Sequence, residues 1–160
     1  MGDSDHARRR LQLVVFLIEE QRHALALHTV ERVVQMVAVS PLPEAPPIAL
    51  GVIDVHGAIL PVFDLRVRFA FPRREYGVGA HLLLVRTAQR RMALATDQVV
   101  GVTEVEGDGV MPPDAAAVGP RGLAGIVALP DGLVFIHDLD RFLSLDEQQR
   151  VTRALETTTG

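Results

Sequence analysis

Residues 51–65 read GVIDVHGAILPVFDL, and this stretch predicts two short strands that fold back on one another. Two apolar runs, at 52–53 and 59–63, are rich in the β-branched residues that pack well on a pleated surface. Gly57 lies between them, where the backbone must turn. Pro61 has no N–H group, which predicts that its strand lies at a sheet edge or carries a bulge at that point.

The same pattern recurs at 125–139, which read GIVALPDGLVFIHDL. Placing Gly51 on Gly125 brings the two stretches into register, so that Asp64 falls on Asp138. A second, slightly smaller shift relates two blocks upstream, placing Val30 on Val99 and Val33 on Val102. Matched blocks in one order indicate an internal repeat, so the sequence predicts one small fold built twice.

Composition sets the size of the fold and excludes several classes of partner. The 160 residues fit one domain or two tightly joined halves, and 48% of them are apolar. Halves of roughly 65 residues would be marginal alone, so we expect them to share contacts. A net charge of −4 argues against nucleic acid as a partner, since phosphate binding needs a basic face. The absence of cysteine excludes disulfides, thiolate metal sites and a cysteine nucleophile.

The N-terminus resembles a signal peptide only superficially. Three arginines at 8–10 precede the apolar run 11–18, but Glu19 and Glu20 end that run early and no cleavage pattern follows. Crossing a bilayer takes about 20 apolar residues, and no run is that long. We therefore expect a flexible arm at 1–10 and a cytoplasmic protein that does not insert into membranes.

Hydrophobic periodicity predicts a chain of short strands with few helices. A short helical turn is expected near 29–32 and again at the start of 97–105, because the apolar spacing there is helical. Ser144 and Glu147 form a capping box, which predicts a helix from 144 to about 155. The fold class is therefore all-β, a sandwich or two small barrels. Strands are predicted at 11–18, 23–27, 33–39, 51–65, 82–86, 92–95, 123–129 and 133–138, and in 97–105 after its helical turn, with irregular segments at 40–47, 66–79 and 107–122.

No enzyme motif is present. The three serines lie outside any G-x-S-x-G elbow, and no P-loop occurs. The six histidines lack the H-x-x-x-H spacing of a metal site, so no metal or other cofactor is expected. Asp64, Asp97 and Asp138 follow strands, where they are interpreted as caps of the turns that follow. His56, beside Gly57 at a hairpin tip, is either a contact residue or a solvated turn residue.

From about residue 11 to residue 145 the chain resembles the CheW-like domain family. The stretch 51–66 matches the family's G-V-I-N-L-R-G-x-I-x-P-V-x-D-L-R pattern at most positions, and PVFDLR at 61–66 is its most specific part. TDQV at 96–99 and DLDRFL at 138–143 add to the match. The resemblance implies two intertwined five-stranded SH3-like barrels with a shared core. The first barrel would lie mainly at 13–70 and the second mainly at 80–140, followed by a C-terminal helix and tail at 146–160.

The resemblance also implies a function without catalysis. Members of the family are chemotaxis adaptors, which couple the cytoplasmic tip of a chemoreceptor to the regulatory domain of a CheA-type histidine kinase. The receptor's helical hairpin lies in the groove between the barrels, and apolar barrel ends meet the kinase or other CheW-like domains. The implied location is the cytoplasmic side of a membrane-associated receptor array.

Three positions depart from the family pattern. His56 stands where the family has arginine, Asp54 where it has asparagine, and Arg32 where it often has glutamate. One hypothesis is that Arg32 pairs with Asp54 with the charges reversed. The four valines among the predicted groove residues are also what a plain barrel core would contain. The residues predicted to line the receptor-binding groove are Val30, Arg32, Val33, Gly51, Asp54, His56, Gly57, Val99 and Val102.

Two alternatives remain open from the sequence. The domain is a divergent scaffold that docks on a kinase or on itself without binding a receptor. The second alternative is a small-ligand or hydrolytic β-barrel enzyme that uses Asp64, Asp138 and the histidines.

Overall fold

The computed structural model describes residues 9–112 and 122–159. Residues 1–8, most of the expected N-terminal arm, lie outside these ranges. So do residues 113–121, which belong to the expected irregular segment at 107–122. Within these ranges the chain is mainly β, with two α-helices, α1 (Leu65–Arg68) and α2 (Leu145–Thr159). The strands are β1 (Arg10–Ile18), β2 (Gln21–Ala26), β3 (Val30–Gln35), β4 (Ala49–Val55), β5 (Ala58–Asp64), β6 (His81–Arg86), β7 (Arg91–Thr96), β8 (Gln98–Glu106), β9 (Val110–Met111), β10 (Leu123–Leu129) and β11 (Gly132–His137).

The strands form two sheets in which equivalent strands follow the same order. One sheet runs β8-β1-β2-β11-β10-β9, and the other runs β3-β6-β7-β5-β4. The two shifts seen in the sequence superpose β1-β2 on β6-β7, β3 on β8, and the hairpin β4-β5 on β10-β11. The repeat is therefore present in the pairing itself, including the parallel joints β2-β11 and β5-β7. Each sheet takes strands from both 13–70 and 80–140, so the two halves are intertwined.

Each sheet curls towards closure at an equivalent place. In the five-stranded sheet, the Ser40 N–H donates to the Val52 carbonyl at 2.9 Å, and the Val52 N–H donates back at 2.8 Å. In the six-stranded sheet, β9 continues from β8 and pairs Met111 with Ile126, which is the counterpart of Val52. We call the five-stranded sheet barrel B and the six-stranded sheet barrel A. The predicted all-β fold of two barrels is confirmed.

Four apolar clusters occur in the described residues, and three of them fill the barrels and the region between them. One lies inside barrel A and includes Leu13 and Val134, and a second lies inside barrel B and includes Leu82 and Leu60. The third and largest is built from both barrels and from α2, and it forms the shared core. Burying this surface between the halves stabilises both of them, because neither half has a large interior of its own. Residues of the shared core include Val14, Phe16, Leu25, Phe63, Leu83, Met92, Leu94, Phe142 and Val151.

The capping box at the start of α2 forms as predicted. The Ser144 N–H donates to the Glu147 carboxylate at 2.8 Å, and the Glu147 N–H donates to Ser144 Oγ at 3.1 Å. Val151 and Ala154 are buried, which fixes α2 against the shared core and against Leu42 and Val52. The helix extends to Thr159, further than the expected end near 155.

Several local predictions were wrong. The first helical turn is a 3-10 turn at Leu27–Thr29, followed directly by β3 from Val30. No helical turn opens β8, which is extended from Gln98, because pairing with β1 overrides the local periodicity. Pro61 lies in β5, which is an inner strand between β7 and β4. It is tolerated there because the parallel pairing with β7 begins only at Val62.

Candidate docking surface

The hairpin turn between β4 and β5 has two residues, His56 and Gly57, with positive φ angles of 50° and 89°. This geometry is a type I′ turn, whose twist matches that of the two strands it joins. The Gly57 N–H donates to the Asp54 carboxylate at 2.8 Å, so Asp54 holds the turn closed. His56 is exposed at the tip of the hairpin.

Gly51 is buried where β4 meets the segment after β3. A Cβ atom at this position would lie 2.0 Å from the Ser40 carbonyl oxygen, and its φ of 151° disfavours other residues. Gly51 therefore permits the contact that draws the two ends of barrel B together. Because glycine has no side chain, its role in any docking surface would be to set the shape of that surface.

The four predicted valines form two equivalent pairs with different surroundings. Val30 in β3 and Val99 in β8 are partly buried and pack against the shared core. Val33 and Val102 are exposed by 43% and 59%, so they are not core residues. The interpretation of these valines as plain barrel core fails for Val33 and Val102. A surface residue of this kind marks a contact site when other apolar residues continue it.

Arg32 does not pair with Asp54. Asp54 instead accepts from the Gly57 N–H within its own hairpin. Among residues 9–112 and 122–159, the exposed Arg32 side chain makes no hydrogen bond or ion pair. The neighbouring Glu31 instead accepts from Arg86 at 3.3 Å and from Arg91 at 3.1 Å. These two contacts hold the edge strand to the β6-β7 hairpin and lower the pKa of Glu31, chiefly through the Arg91 bond.

Further apolar residues are exposed at the barrel ends. Ile59 in barrel B and Leu133 in barrel A are equivalent positions beside the hairpin turns, exposed by 38% and 51%. At the end of barrel A a cavity of about 200 Å³ opens beside Gly101, where barrel B has Arg32. Its apolar lining consists of Val15, Val100, Val102 and Leu129.

Sequence reasoning missed a buried ionic cluster around Arg66. The Arg66 side chain is 1% exposed, and its Nη2 lies 2.6 and 2.7 Å from the two carboxylate oxygens of Asp97. Its Nε donates to Glu19 at 3.2 Å, and Arg74 binds the other oxygen of Glu19 at 3.2 Å. The cluster joins the end of β5 to the β1-β2 and β7-β8 turns. Arg66 closes the PVFDLR motif, which was the available signal, but the sequence did not indicate its partners.

Asp64 and Asp138 are caps, as predicted, whereas Asp97 is not. Asp64 accepts from the Arg66 N–H at 3.0 Å and also from the Tyr76 hydroxyl, and Asp138 accepts from the Asp140 N–H at 3.0 Å. Burial and the Asp64 carboxylate raise the pKa of Tyr76. Asp97 is an ion-pair partner, and it also accepts from the Glu19 N–H at 2.8 Å. Both Asp64 and Asp138 are thus engaged with backbone N–H groups of the turns that follow their strands.

A second buried polar group joins β2 to β11. His23 Nδ1 and His137 Nε2 are 2.8 Å apart, and both side chains are buried. Burial lowers the pKa of His23 to about 4, and burial together with the His23 imidazole lowers the pKa of His137 to about 3. Both rings are therefore neutral at pH 7 and share one hydrogen bond. No group of three or more potential metal ligands occurs within the described residues.

A family model described as the CheW-like domain matches residues 12–147. The chain belongs to the CheW-like domain family. The match spans both barrels, the Arg66 cluster and the first turn of α2. The resemblance read from the sequence motifs is thus confirmed over nearly its whole length.

Similar proteins agree with this assignment. The chain is 26% identical to "Chemotaxis protein CheW" of Rhizobium meliloti, over 86% of this chain and 90% of that protein. It is 23% identical to "Chemotaxis protein CheW" of Helicobacter pylori, over 85% and 83% of the two chains. The crystal structure of the scaffolding protein TtCheW from Thermoanaerobacter tengcongensis superposes with a TM-score of 0.78 at 25% identity, covering 87% and 96%. The SH3-like double barrel therefore holds for this CheW-like domain.

The predicted groove residues of this CheW-like domain fall on three elements. Edge strand β3 and the β4-β5 turn belong to barrel B, and β8 belongs to barrel A. Val30 and Val99 bring β3 and β8 together through the shared core, whereas Gly51, Asp54, His56 and Gly57 of the β4-β5 hairpin are not part of that cluster. In the described part of the chain, no helix is both long and apolar enough to cross a membrane.

Proposed function

We propose that this domain is a non-enzymatic chemotaxis adaptor that couples a chemoreceptor to a CheA-type histidine kinase. The observation that carries the proposal is the match to the CheW-like domain family across both barrels, at residues 12–147. The names of its relatives, chemotaxis proteins and a scaffolding protein, support the same class of function. The place of action would be the cytoplasmic side of a receptor array.

The barrel ends would bind the regulatory domain of the kinase. Ile59 and Leu133 are equivalent apolar residues exposed beside the two hairpin turns. Exposed apolar residues next to a polar rim are typical of protein contact sites. Arg22 and Asp131, which form an ion pair of 3.1 Å, supply part of such a rim in barrel A.

The region between the barrels would receive the tip of the receptor. Val30 and Val99 would line it as an equivalent pair, one from each barrel, and Val33 and Val102 are exposed as a second pair on the same two strands. Arg32 is exposed on the same strand as Val30, and His56 is exposed at the β4-β5 turn. A helical hairpin bound there would bury apolar side chains on Val30 and Val99 and meet charge at Arg32. Arg32 has no partner in the described structure, so its guanidinium is free to bind a carboxylate of another protein.

Association with the kinase can be tested directly. The purified domain is titrated with the regulatory domain of its cognate CheA-type kinase by calorimetry. We expect Leu133→Asp or Ile59→Asp to weaken binding at least tenfold, because each places a charge in an apolar contact. Val78→Asp is the matched control, since Val78 is fully exposed on the segment before β6 and lies on no barrel end. No association at high micromolar concentration with the unaltered domain would contradict the proposal.

A second candidate function is favoured by the departures at Arg32 and His56. Both positions differ from the family pattern, so the domain could dock on a kinase without binding a receptor. Arg32→Glu and His56→Glu separate the two functions in a pull-down with the receptor's cytoplasmic fragment. Loss of receptor with kinase binding retained supports the coupling adaptor. Unchanged receptor recovery in both variants would remove the groove assignment.

A further inference from the structure

The two buried histidines occupy the parallel joint that ties the two hairpins of barrel A together. His23 pairs in register with Phe135, and His137 lies two residues further along β11. Their rings stack with centroids 5.1 Å apart. Since β2 and β11 come from different halves of the chain, the contact holds together strands that are distant in sequence.

Each imidazole uses only one of its two nitrogens. His23 Nε2 and His137 Nδ1 are buried and have no hydrogen-bond partner among the described residues. A neutral imidazole has one N–H and one bare nitrogen, so one ring donates the shared bond and the other accepts it. Whichever ring donates, the next proton must go to one of the two outward nitrogens, where it finds no acceptor. A further proton would set two N–H groups against each other and break the bond.

The surroundings of the pair are aromatic. Phe16 from β1, Phe135 from β11 and Phe69 from the segment after α1 all lie within 5.8 Å of the His23 ring, centroid to centroid. Phe69 also covers His137, at 5.2 Å. Charged groups on the same elements are engaged elsewhere: Arg22 with Asp131, Arg66 with Asp97 and Glu19, Arg68 with Glu147, and Asp138 with the Asp140 N–H.

The repeat provides a comparison within the same chain. The shift that places Val30 on Val99 also places His23 on Met92, and the shift that places Gly51 on Gly125 places Phe63 on His137. Met92 and Phe63 lie in the shared core at the parallel joint β5-β7 of barrel B. Two apolar residues therefore fill the parallel pairing β5-β7, so packing alone does not require histidines at β2-β11.

We propose that the His23–His137 pair is a proton-operated latch between the hairpins β1-β2 and β10-β11. In the neutral state the latch is closed under Phe69. Proton uptake places charge in the aromatic cage, and the favourable response is to move Phe69 aside and admit water. Barrel A would then open at this joint, whereas the equivalent joint of barrel B would stay closed.

The direction of the pH effect follows from the histidine pKa values. In the folded state both pKa values lie below the ordinary 6.5, so the folded protein binds fewer protons than the opened one between about pH 4 and 6.5. The stability of the closed state relative to the opened state is therefore greatest above pH 6.5 and decreases as the pH falls below that value. Each proton taken up on opening shifts the opening equilibrium tenfold per pH unit.

The first test uses the double variant His23→Met/His137→Phe, which places in barrel A the residues found at the equivalent positions of barrel B, Met92 and Phe63. Urea unfolding is followed from pH 4.5 to 7.5 for this variant and for the unaltered domain. We expect the unfolding constant of the unaltered domain to rise by up to about a hundredfold more per pH unit below 6.5 than that of the variant, tenfold for each of the two histidines. Equal pH dependence in the two proteins would overturn the proposal, since all other titrating groups are shared.

The second test uses the unaltered domain alone and needs no variant to fold. Amide hydrogen exchange is measured at pH 7 and pH 5 and corrected for the intrinsic rate. We expect protection to fall in 21–26, 69–71 and 132–137, and to persist in 58–64 and 91–96. A uniform loss over both barrels, or no loss at all, would overturn a latch that acts at one joint.

Discussion

The two barrels have the same strand order, but different side chains fill the parallel strand pairing inside each of them. At the joint β2-β11 the buried pair is His23 and His137, whereas at β5-β7 the equivalent pair is Met92 and Phe63. A similar difference is found where β5 and β11 end. Arg66 binds Glu19 and Asp97 at the first place, while its counterpart Asp140 accepts a single bond from the Ala88 N–H, of 2.7 Å.

This comparison shows which part of the repeat is constrained. Backbone pairing, bulges and the caps at Asp64 and Asp138 are kept in both halves, because sheet closure depends on them. The side chains that fill the joints differ, because either apolar packing or a hydrogen-bonded polar pair can occupy a buried site. The polar group has stricter requirements, since every buried charge must keep its partner.

The largest difference in stability between the two barrels is expected at the ends of β5 and β11, where Arg66 and Asp140 are equivalent. Arg66→Met leaves Glu19 and Asp97 without their cation and should lower the free energy of unfolding by about 3 kcal/mol. Asp140→Ala, at the equivalent place, loses one exposed hydrogen bond and should cost under about 1 kcal/mol. Urea unfolding at pH 7 measures both. Similar losses in the two variants would mean that the ionic cluster contributes no more than its simple counterpart.

A smaller difference is expected at the closure of each barrel. Gly51→Ala would set a Cβ 2.0 Å from the Ser40 carbonyl oxygen and should cost about 3 kcal/mol, because backbone must move. At Gly125 the nearest atom is a side-chain carbon, Val110 Cγ1, at 2.5 Å. Gly125→Ala should therefore cost about 1–2 kcal/mol. Thermal unfolding compares the two variants. A larger loss of stability in Gly125→Ala than in Gly51→Ala would show that barrel A closes more tightly than barrel B.

The smallest effect is expected at the hairpin tip of barrel B. His56 has a φ of 50°, which asparagine adopts at lower cost in a type I′ turn. His56→Asn should raise the free energy of unfolding by about 0.5 kcal/mol, within the range found for relief of such strain. At the equivalent Pro130, where φ is not positive, Pro130→Asn should give no gain. Chemical unfolding compares them, and a loss of stability in His56→Asn would indicate that the imidazole supports the turn.

Much of the architecture could be predicted from the sequence, for identifiable reasons. Alternating apolar runs and the repeated spacing from Gly51 to Asp64 and from Gly125 to Asp138 identified the strands and the duplication, because side-chain alternation and turn glycines are local properties. The capping box located α2 for the same reason. Predictions that rested on the neighbours of a strand were less accurate. Pro61 was expected at an edge or a bulge and lies in an inner strand, and β8 lacks the expected helical turn.

The candidate site was predicted less completely than the fold. The sequence identified the turn at Asp54, His56 and Gly57, whose local geometry the structure reproduces. It did not indicate that Val33 and Val102 are exposed while Val30 and Val99 pack on the shared core. The hypothesis that Arg32 pairs with Asp54 failed, because the Asp54 carboxylate binds the Gly57 N–H of its own turn. Assignment of the groove residues to receptor binding stays a prediction.

The family, the all-β class, the repeat and the strand-end caps could all be read from the chain, since each is encoded in residues that lie close together along it. The side-chain partners that the intertwined barrels bring together became visible only in the folded protein, where Arg66 meets Glu19 and Asp97, and His23 meets His137. These partners are 31 to 114 residues apart, and no local pattern relates them. Burial then sets their chemistry, because the charge that a side chain can hold depends on what surrounds it after folding.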